Sequence, residues 1–444
     1  MQRSLRCEAP KLVNKLHRRL FWPIDISMRT NWASPLSVLL CLAACALAQD
    51  PNVKPPNKNR SAKYKSAIFR GSGNLIWSNS LASFIGGGQQ NTIGLVSGFG
   101  TWNAFNSVIA GGRQNTVLRD SAVIGGGNFN TNEATAGTIA GGQRNLVSAA
   151  YTAIGGGIYN TNIGYAGTIA GGYENLATAQ FSAVGGGRAN LASASNSVVA
   201  GGETNYAAGI GATVAGGSLN EANGANSAIG GGFNNETTGS LATIPGGNGN
   251  SATNYSFAAG RYASAEHEGS FVWGSAPGIV FTATKSFAAN TFTVRCHGGA
   301  RFYTASGTGT GPSVAGGSGT WTSLSDRSAK ENFKDVDASE VLAKVVAMPV
   351  NTWNYKTQAG HIRHIGPTAQ DFKTAFGVGE SDTGITTVDA DGVALAAIKG
   401  LVEELKERDK KITELEVKSA EIGALRTELR ALREEVRNNL PPAP

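Results

Sequence analysis

Residues 107–130 read SVIAGGRQNTVLRDSAVIGGGNFN and contain two copies of the pattern that decides the fold. Each copy has an Ile, one small residue, a Gly-Gly pair and an Asn three residues after the second Gly. The pattern repeats every 15 residues downstream, and one earlier copy lies 24 residues upstream, with an insertion around residues 96–103. The Gly-Gly pairs begin at Gly87, Gly111, Gly126, Gly141, Gly156, Gly171, Gly186, Gly201, Gly216, Gly231 and Gly246.

Two other columns hold through every copy of the repeat. The Asn column consists of Asn91, Asn115, Asn130, Asn145, Asn160, Asn175, Asn190, Asn205, Asn220, Asn235 and Asn250. The column two residues before each Gly-Gly pair is always Ile or Val: Ile85, Ile109, Ile124, Ile139, Ile154, Ile169, Val184, Val199, Val214, Ile229 and Ile244.

Each column has a physical interpretation. A β-branched residue flanked by small ones favours a strand packed against a close neighbour. Gly-Gly allows a tight corner. Asn tolerates the left-handed region of backbone space, and its amide can hydrogen-bond to the next Asn one coil along. A period of fifteen residues, without helical periodicity, predicts a parallel β-roll in which each coil has two short strands and two turns, stacked at roughly 4.8 Å.

A coil of this kind has a thin core. One buried Val or Ile per coil offsets little of the entropy lost when fifteen residues are ordered. We therefore expect three chains to associate. Two alternatives to the shaft are a disordered Gly/Asn-rich segment and calcium-binding Gly-Asp repeats. An unbroken Ile/Val column argues against the first, and Asp120, the one Asp between Phe84 and Asn250, argues against the second.

The coils end in Tyr255-Ser-Phe-Ala-Ala-Gly-Arg261 and Gly269-Ser-Phe-Val-Trp273. Together with these endings they resemble the left-handed β-roll heads of trimeric autotransporter adhesins and similar coils in bacterial and phage fibre proteins. The resemblance implies adhesion or spacing, with a cell-surface or glycan receptor as partner.

Composition supports a fibrous protein. The chain has 444 residues, 60 of them Gly, and 16% are charged. Residues 1–70 hold thirteen Lys or Arg and three acidic residues, a surplus of ten, so the net charge of +7 leaves about −3 for the remainder. The repeats therefore carry no electrostatic footprint for nucleic acid.

The first 48 residues resemble an export signal. A short basic region after Met28 precedes an apolar run that ends at Ala48 with small residues, so Met28 is the expected true start. Cleavage after Ala48 makes the protein exported, at the cell surface or outside the cell. Leu42-Ala-Ala-Cys45 also resembles a lipoprotein box, with Cys45 as the lipid-bearing residue and the only route to a membrane. Three of the four cysteines lie in this leader, so no disulfide framework is expected, and Cys296 is expected to be small and buried.

The composition changes after Thr322, and four ordered motifs follow. They are Ser325-Asp-Arg-Ser-Ala-Lys-Glu-Asn-Phe333, Met348-Pro-Val-Asn-Thr-Trp-Asn-Tyr-Lys356, His364-Ile-Gly-Pro-Thr-Ala-Gln-Asp-Phe372 and Val388-Asp-Ala-Asp-Gly392. This order resembles the endosialidase-type intramolecular chaperone, a self-cleaving serine peptidase at the ends of phage tailspikes. The resemblance implies a catalytic dyad of Ser325 and Lys330 and scission of the Leu324–Ser325 bond. It also implies structural motif residues, with Pro367 as a departure from the family pattern: Asp326, Gly366, Ala369, Gln370, Asp371, Asp389 and Gly392.

The dyad sets a geometric condition. A free lysine titrates near 10.4, so burial has to lower its pKa by several units before it can act as a base. Five residues on an α-helix separate two side chains by about 140°. Ser325 must therefore precede the helix, or the lysine must come from a sister chain. The alternative is that Ser325 or Asp326 caps a helix while Lys330 faces solvent.

Residues 393–437 are predicted to be helical, with Gly400 and Gly423 as breakers. A regular 3-4 spacing at its end predicts a coiled-coil seam, formed by Ile422, Leu425, Leu429, Leu432 and Val436. The predicted segments are a leader at 1–48, a basic linker at 49–79, the shaft at 80–275, short strands with a Gly/Ser/Thr-rich connection at 276–324, the chaperone domain at 325–392 and the coiled coil at 393–439.

The sequence therefore predicts an exported homotrimeric fibre whose C-terminal domain drives assembly and then cuts itself off in a single turnover. One alternative is a non-cleaving trimeric adhesin with a permanent coiled-coil stalk. The other is a glycan-degrading spike, although the repeats lack a recurrent Asp/Glu pair. The sequence predicts no cofactor, no metal site and no activity on an external substrate. His267 between Glu266 and Glu268 is expected to lie in a solvent-facing loop rather than to bind a metal.

Overall fold

A computed structural model describes residues 66–77, 80–97, 100–102, 104–275, 282–304, 306 and 311–439. Contacts divide the chain into a unit that ends at residue 294, from which residues 275–280 are excluded, and a C-terminal unit that begins at residue 295. The first unit is a parallel β-solenoid, so the fold predicted from the repeat is confirmed.

The solenoid has two parallel sheets, and each coil contributes one short strand to each. Strands pair only with the equivalent strand of the coil before and after, as in Val123–Ile124 with Thr138–Ile139. Sheet 1 contains Ala67–Ile68, Phe84–Ile85, Val108–Ile109, Val123–Ile124, Thr138–Ile139, Ala153–Ile154, Thr168–Ile169, Ala183–Val184, Val198–Val199, Thr213–Val214, Ala228–Ile229, Thr243–Ile244, Gly247–Asn248, Phe257–Arg261, Phe271–Ser275 and Phe292–Val294. Sheet 2 contains Leu75–Ile76, Thr92–Ile93, Thr116–Val117, Thr131–Asn132, Leu146–Val147, Thr161–Asn162, Leu176–Ala177, Leu191–Ala192, Tyr206–Ala207, Glu221–Ala222, Glu236–Thr237, Ser251–Ala252, Ala263–Ala265 and Thr284–Lys285.

The core lies between the two sheets. The predicted Ile/Val column of sheet 1 faces inward, and its side chains are 0–1% exposed. A second inward column on sheet 2, which the sequence analysis did not single out, changes from Ile and Val to Ala along the shaft. It consists of Ile76, Ile93, Val117, Asn132, Val147, Asn162, Ala177, Ala192, Ala207, Ala222, Thr237, Ala252 and Ala265.

The Asn column forms a buried ladder along the shaft. Asn130 is 0% exposed. Its amide nitrogen donates to the carbonyls of Gly126 and Gly142 at 3.0 Å, and its Oδ1 accepts from the backbone N–H of Asn145 at 3.0 Å. The Asn-to-Asn hydrogen bonds expected from the sequence are present, for example Asn130 Nδ2 to Asn115 Oδ1 at 3.1 Å. Each Asn therefore ties its own corner to both neighbouring coils.

The left-handed backbone angle lies one residue before the position expected. The Asn column is not left-handed. Instead, the residue before each Asn has a positive φ, as Gln114 has at 56° and Phe129 at 59°. The N–H of Phe129 donates to the carbonyl of Arg113 in the preceding coil at 2.9 Å. A hydrogen bond between coils therefore holds this angle in residues as different as Gln and Phe.

The two glycines of a pair have different surroundings. A Cβ on the second glycine, Gly112, would lie 2.1 Å from the carbonyl oxygen of Gly127 in the next coil. A Cβ on the first glycine, Gly111, would have nothing within 4 Å, and its φ is not in the left-handed region. Only the second glycine is required by the packing of its own chain.

The shaft extends past both predicted boundaries. A first coil at Ala67–Ile68 and Leu75–Ile76 lies in the segment predicted as a linker, and Asn74 joins the ladder. At the other end, Phe292–Val294 pairs with Phe271–Ser275 in sheet 1. The insertion near residue 96 is an antiparallel hairpin of Leu95–Ser97 and Gly100–Trp102.

The C-terminal unit has short antiparallel strands and three helices in its described residues. Gly299–Arg301 pairs with Ser313–Ala315, and Asn351–Trp353 pairs with His364–Gly366. The first pair lies partly in the segment predicted as a flexible connection. The helices are α1 at Ala338–Ala347, α2 at Ala369–Phe376 and α3 at Thr387–Asn439.

Capping residues define where the helices of this unit begin. Asp337 caps α1 by accepting from the N–H of Glu340, and Thr368 caps α2 by accepting from that of Asp371. A Cβ at Gly400 of α3 would lie 2.2 Å from the Ala338 carbonyl, so this glycine allows α1 and α3 to approach closely. Among the described residues, none of the helices is both long and apolar enough to cross a membrane.

Candidate functional site

Ser325 and Lys330 meet within one chain. The Lys330 Nζ donates to the Ser325 Oγ at 2.7 Å. Ser325 lies just before a single 3-10 turn at Arg327–Ala329, and the backbone is extended again at Lys330, with φ −125° and ψ 148°. This is the first of the two geometries expected from the sequence, because the serine precedes the helical turn and the lysine folds back to it.

Asp326 builds the turn that brings the pair together. Its Oδ1 accepts from both the backbone N–H and the hydroxyl of Ser328 at 2.8 Å. These two hydrogen bonds lower the pKa of the Asp326 carboxyl below its ordinary value. The turn is closed by the N–H of Lys330, which donates to the Arg327 carbonyl at 3.2 Å. Asp326 therefore caps a turn, as the alternative interpretation expected, but Lys330 contacts Ser325.

The pair is open to solvent in the single chain. Ser325 and Lys330 are both exposed, and Leu324 before the expected scissile bond is 42% exposed. Arg327 lies over the ring of Phe333, with 5.2 Å between the guanidinium carbon and the ring centroid. The geometry of a serine with a hydrogen-bonded lysine is present, and the burial that such a base needs is not supplied by the single chain.

The other motif residues lie at strand ends and helix starts. Gly366 ends the strand His364–Gly366, and Asp371 takes part in the cap of α2. Ala369 and Gln370 are the first two residues of that helix. Asp389 accepts from the Thr386 hydroxyl at 2.7 Å near the start of α3, and Gly392 follows within α3.

An aromatic cluster connects two of the quoted motifs. Trp353 and His364 face each other across the strand pair, with ring centroids 4.8 Å apart. Tyr355 lies 5.0 Å from Trp353 and 5.6 Å from His364. The sequence analysis missed this cluster, and only the pairing register of the two motifs could have revealed it.

The remaining candidates are placed as follows. Cys45 lies outside the described residues. Cys296 is exposed, so the expectation of a buried residue is wrong. His267 is half-buried rather than solvent-facing, since its Nδ1 lies 2.8 Å from the Ser286 hydroxyl. The neighbouring Glu266 pairs with Lys285 at 2.6 Å, which lowers the pKa of that carboxyl.

Comparison with known proteins agrees with the motif order. No curated protein matches the chain. The family resemblance expected from the C-terminal motifs is confirmed for residues 325–377. This range contains Ser325 and Lys330, and it ends before Asp389 and Gly392. Residues 325–377 match the Peptidase_S74 family, described as the chaperone of endosialidase, and a parallel β-solenoid precedes them.

Proposed function

We propose that this protein is an exported, tailspike- or adhesin-like homotrimeric fibre whose C-terminal region aligns three chains and then detaches by cutting the Leu324–Ser325 bond. The observation that carries the proposal is the 2.7 Å contact between Lys330 Nζ and Ser325 Oγ at the start of the matched segment. A serine activated by a lysine base is a recognised nucleophile.

The reaction needs only these two side chains and water. Neutral Lys330 takes the hydroxyl proton while the Ser325 Oγ bonds to the carbonyl carbon of Leu324. The C–N bond then breaks and its nitrogen takes a proton, which leaves an ester between Leu324 and the Ser325 hydroxyl. Water hydrolyses the ester, giving a Leu324 carboxylate, a free amino group on Ser325 and the original hydroxyl. One water is consumed for one peptide bond.

Exposure of the pair makes scission dependent on assembly. Lysine accepts a proton only when neutral, and burial favours that form. Because Ser325 and Lys330 are exposed in one chain, neighbouring chains have to supply the burial. Scission would then follow correct assembly, and loss of the chaperone would make unfolding of the fibre hard to reverse.

The helix α3 supports association of chains. The side chains of its predicted seam are 51–62% exposed, although a 3-4 spaced apolar seam is normally buried against other helices. Further upstream, Leu395, Ile398, Val402 and Leu405 also have a 3-4 spacing and are exposed, and the phase of the spacing shifts before Ile422. A coiled coil with two sister chains would cover both stretches.

The outer face of sheet 1 supports a second contact between chains. From Ala67 to Thr243 its outward column is made of Val, Thr, Ala and Phe without a charged residue, whereas that of sheet 2 includes Glu221, Glu236 and Lys285. At its end the rings of Phe257, Phe271 and Phe292 stack at 4.6 and 4.9 Å. An uncharged column that runs from Ala67 to Thr243 favours a partner of similar length, namely another copy.

The first glycine of each pair points to the same contact. Four of these glycines have ordinary backbone angles and open space where a Cβ would be: Gly111, Gly141, Gly201 and Gly216. Nothing in the chain itself requires glycine at these four positions, whereas the first glycine of some other coils has a positive φ, such as Gly126 at 156°. Close approach of a second shaft accounts for glycine at these four open positions.

Mass spectrometry of the full-length product tests the proposal. The wild type should yield a fragment that begins with Ser325, and Ser325→Ala and Lys330→Met should yield none while remaining trimeric. Ser323→Ala, two residues upstream, is the matched control and should cleave normally. Hydroxylamine added during cleavage should trap the ester as a Leu324 hydroxamate.

A trimer that stays intact would contradict scission and support the alternative of a permanent coiled-coil stalk. The same spectra report cleavage after Ala48 or a lipid on Cys45, which decides how the protein is exported and anchored.

A further inference from the structure

A short strand-like contact holds the chain just before the expected scissile bond. Thr322 forms an antiparallel bridge with Ser313. The N–H of Ser313 donates to the Thr322 carbonyl at 3.0 Å, and the N–H of Thr322 donates to the Ser313 carbonyl at 2.7 Å. Two well-formed backbone hydrogen bonds therefore fix the position of Thr322.

Ser313 is itself held from its other side. It begins the strand Ser313–Ala315, where it pairs with Arg301 of the strand Gly299–Arg301. The N–H of Phe302 donates to the carbonyl of Pro312 at 3.0 Å. The Phe302 ring also packs against Trp321, with 5.6 Å between ring centroids. Thr322 therefore lies beside Ser313 as the start of a third strand in a small antiparallel sheet.

The scissile bond lies between two anchors. Thr322 on one side is tied to Ser313, and Asp326 on the other side is tied to the turn at Ser328. Only Ser323, Leu324 and Ser325 lie between these anchors. An extended residue spans at most about 3.6 Å, so the Leu324 carbonyl is confined to a small region next to the Ser325 hydroxyl.

Peptides that bind as an added strand are held by main-chain hydrogen bonds to a sheet edge. Holding the reacting groups near attack geometry is a large source of rate acceleration. We propose that the strand Ser313–Ala315 is a built-in substrate-binding strand, and that its pairing with Thr322 positions the Leu324 carbonyl for attack by Ser325. This inference rests on the proposed self-cleavage, and Ser313 and Thr322 act as positioning residues.

The test measures the rate of scission in assembled full-length protein. Thr322→Pro removes the N–H that donates to the Ser313 carbonyl, and Ser313→Pro removes the opposite donor at a site nine residues away in sequence. Each should slow scission about tenfold or more with trimer content unchanged. Thr322→Val keeps the backbone donor and should remain within about twofold of wild type.

A second variant leaves both hydrogen bonds in place. Two glycines inserted between Thr322 and Ser323 lengthen the tether, and the proposal expects scission to slow by about tenfold or more. The pH dependence of the residual scission should stay that of the wild type, because the serine and lysine are untouched. Wild-type rates in the insertion and in both proline variants would overturn this inference while leaving Ser325-dependent scission intact. Absence of scission in the wild type would overturn the proposed function and this inference together.

Discussion

The solenoid and the C-terminal unit use their apolar residues in opposite ways. In the solenoid, both inward columns are at most 2% exposed from Ile76 to Ala265. In the described part of the C-terminal unit, the buried apolar residues are Ala338, Phe372 and Ala397, while every Leu of α3 is exposed. The solenoid completes its core within one chain, and the C-terminal unit leaves apolar surface exposed on α3.

The reason lies in what each element has as a neighbour. A coil is followed by an almost identical coil, so its hydrogen bonds and core contacts are satisfied fifteen residues further on. Helix α3 runs for 53 residues, and α1 packs against its first part, near Gly400. Repetition along the chain supplies partners in the shaft, whereas most apolar side chains of α3 are exposed in the single chain.

The largest expected effect on the free energy of unfolding comes from removing side-chain hydrogen bonds between coils of the shaft. Asn130→Ala removes the side chain that serves the Gly126 and Gly142 carbonyls and the Asn145 N–H. The Gly142 carbonyl keeps the N–H of Asn128 at 2.9 Å. The groups that lose their partner are therefore the Gly126 carbonyl and the N–H of buried Asn145. At about 1–3 kcal/mol for each group, the free energy of unfolding should fall by about 2–6 kcal/mol. Chemical denaturation of purified protein measures this. The control is Asn128→Ala, two residues earlier and exposed, which should change stability by less than about 0.5 kcal/mol. Equal effects would show that the ladder contributes little.

Substitutions at the two glycines of one pair distinguish contacts within a chain from contacts between chains. Gly112→Ala places a Cβ 2.1 Å from the Gly127 carbonyl at a φ of 92°, so it should destabilise the shaft by about 2–4 kcal/mol. Gly111→Ala should leave the fold of the single chain intact, yet lower trimer content in analytical ultracentrifugation. Unchanged assembly of Gly111→Ala would rule out close approach of chains at the first glycine.

The period, the two strands per coil and the Asn ladder could be predicted, because identical residues recur where the chemistry is identical. The left-handed corners could not. Their residues range from Gln114 to Phe129, since a hydrogen bond between coils and not the side chain fixes the angle. The first coil escaped detection because Arg70-Gly71 stands where later coils have Gly-Gly.

For the candidate site, motif order identified Ser325 and Lys330, while helical spacing alone argued against their contact. The missing information was the length of the turn. Asp326 begins a turn of only three residues, Arg327–Ala329, and the chain is extended again at Lys330. The Trp353–His364 contact depends on strand register, which a single sequence does not contain.

The third prediction tests the exposed apolar surface of the C-terminal unit. Leu429 is 51% exposed, so Leu429→Ala should barely change an unassembled chain. In a coiled coil the same change removes buried contacts from every chain and should weaken association by about 2–3 kcal/mol per chain. Sedimentation over a dilution series measures the difference. Arg430→Ala is the neighbouring exposed control, and equal loss of association in both variants would argue against a seam through Leu429.

The smallest expected effect is the pH dependence of stability, which has opposite signs at Glu236 in the solenoid and at Asp326 in the C-terminal unit. Glu236 lies directly opposite Glu221 on sheet 2, and partial burial and this like charge raise its pKa. A raised pKa in the folded state means that stability is fully present below the unfolded-state pKa and is lost as pH rises through the folded-state pKa. Glu236→Gln should therefore raise the free energy of unfolding by about 0.5 kcal/mol at pH 7 and by nothing near pH 3. Glu203→Gln, which removes the 2.9 Å pair with Arg188, should give no gain at pH 7.

Asp326 has the reverse dependence, because its pKa is lowered by the hydrogen bonds from Ser328. Its contribution is present above the unfolded-state pKa and is lost as pH falls through the folded-state pKa. Acid should therefore strengthen sheet 2 while it loosens the turn that holds Lys330 beside Ser325. Thermal melting of Glu236→Gln and of the wild type across pH 3–7 measures the first effect, and hydrogen exchange at the N–H of Ser328 measures the second. An equal change of melting temperature with pH in the wild type and in Glu236→Gln would show that the carboxyl pair on sheet 2 is not the source of the pH dependence.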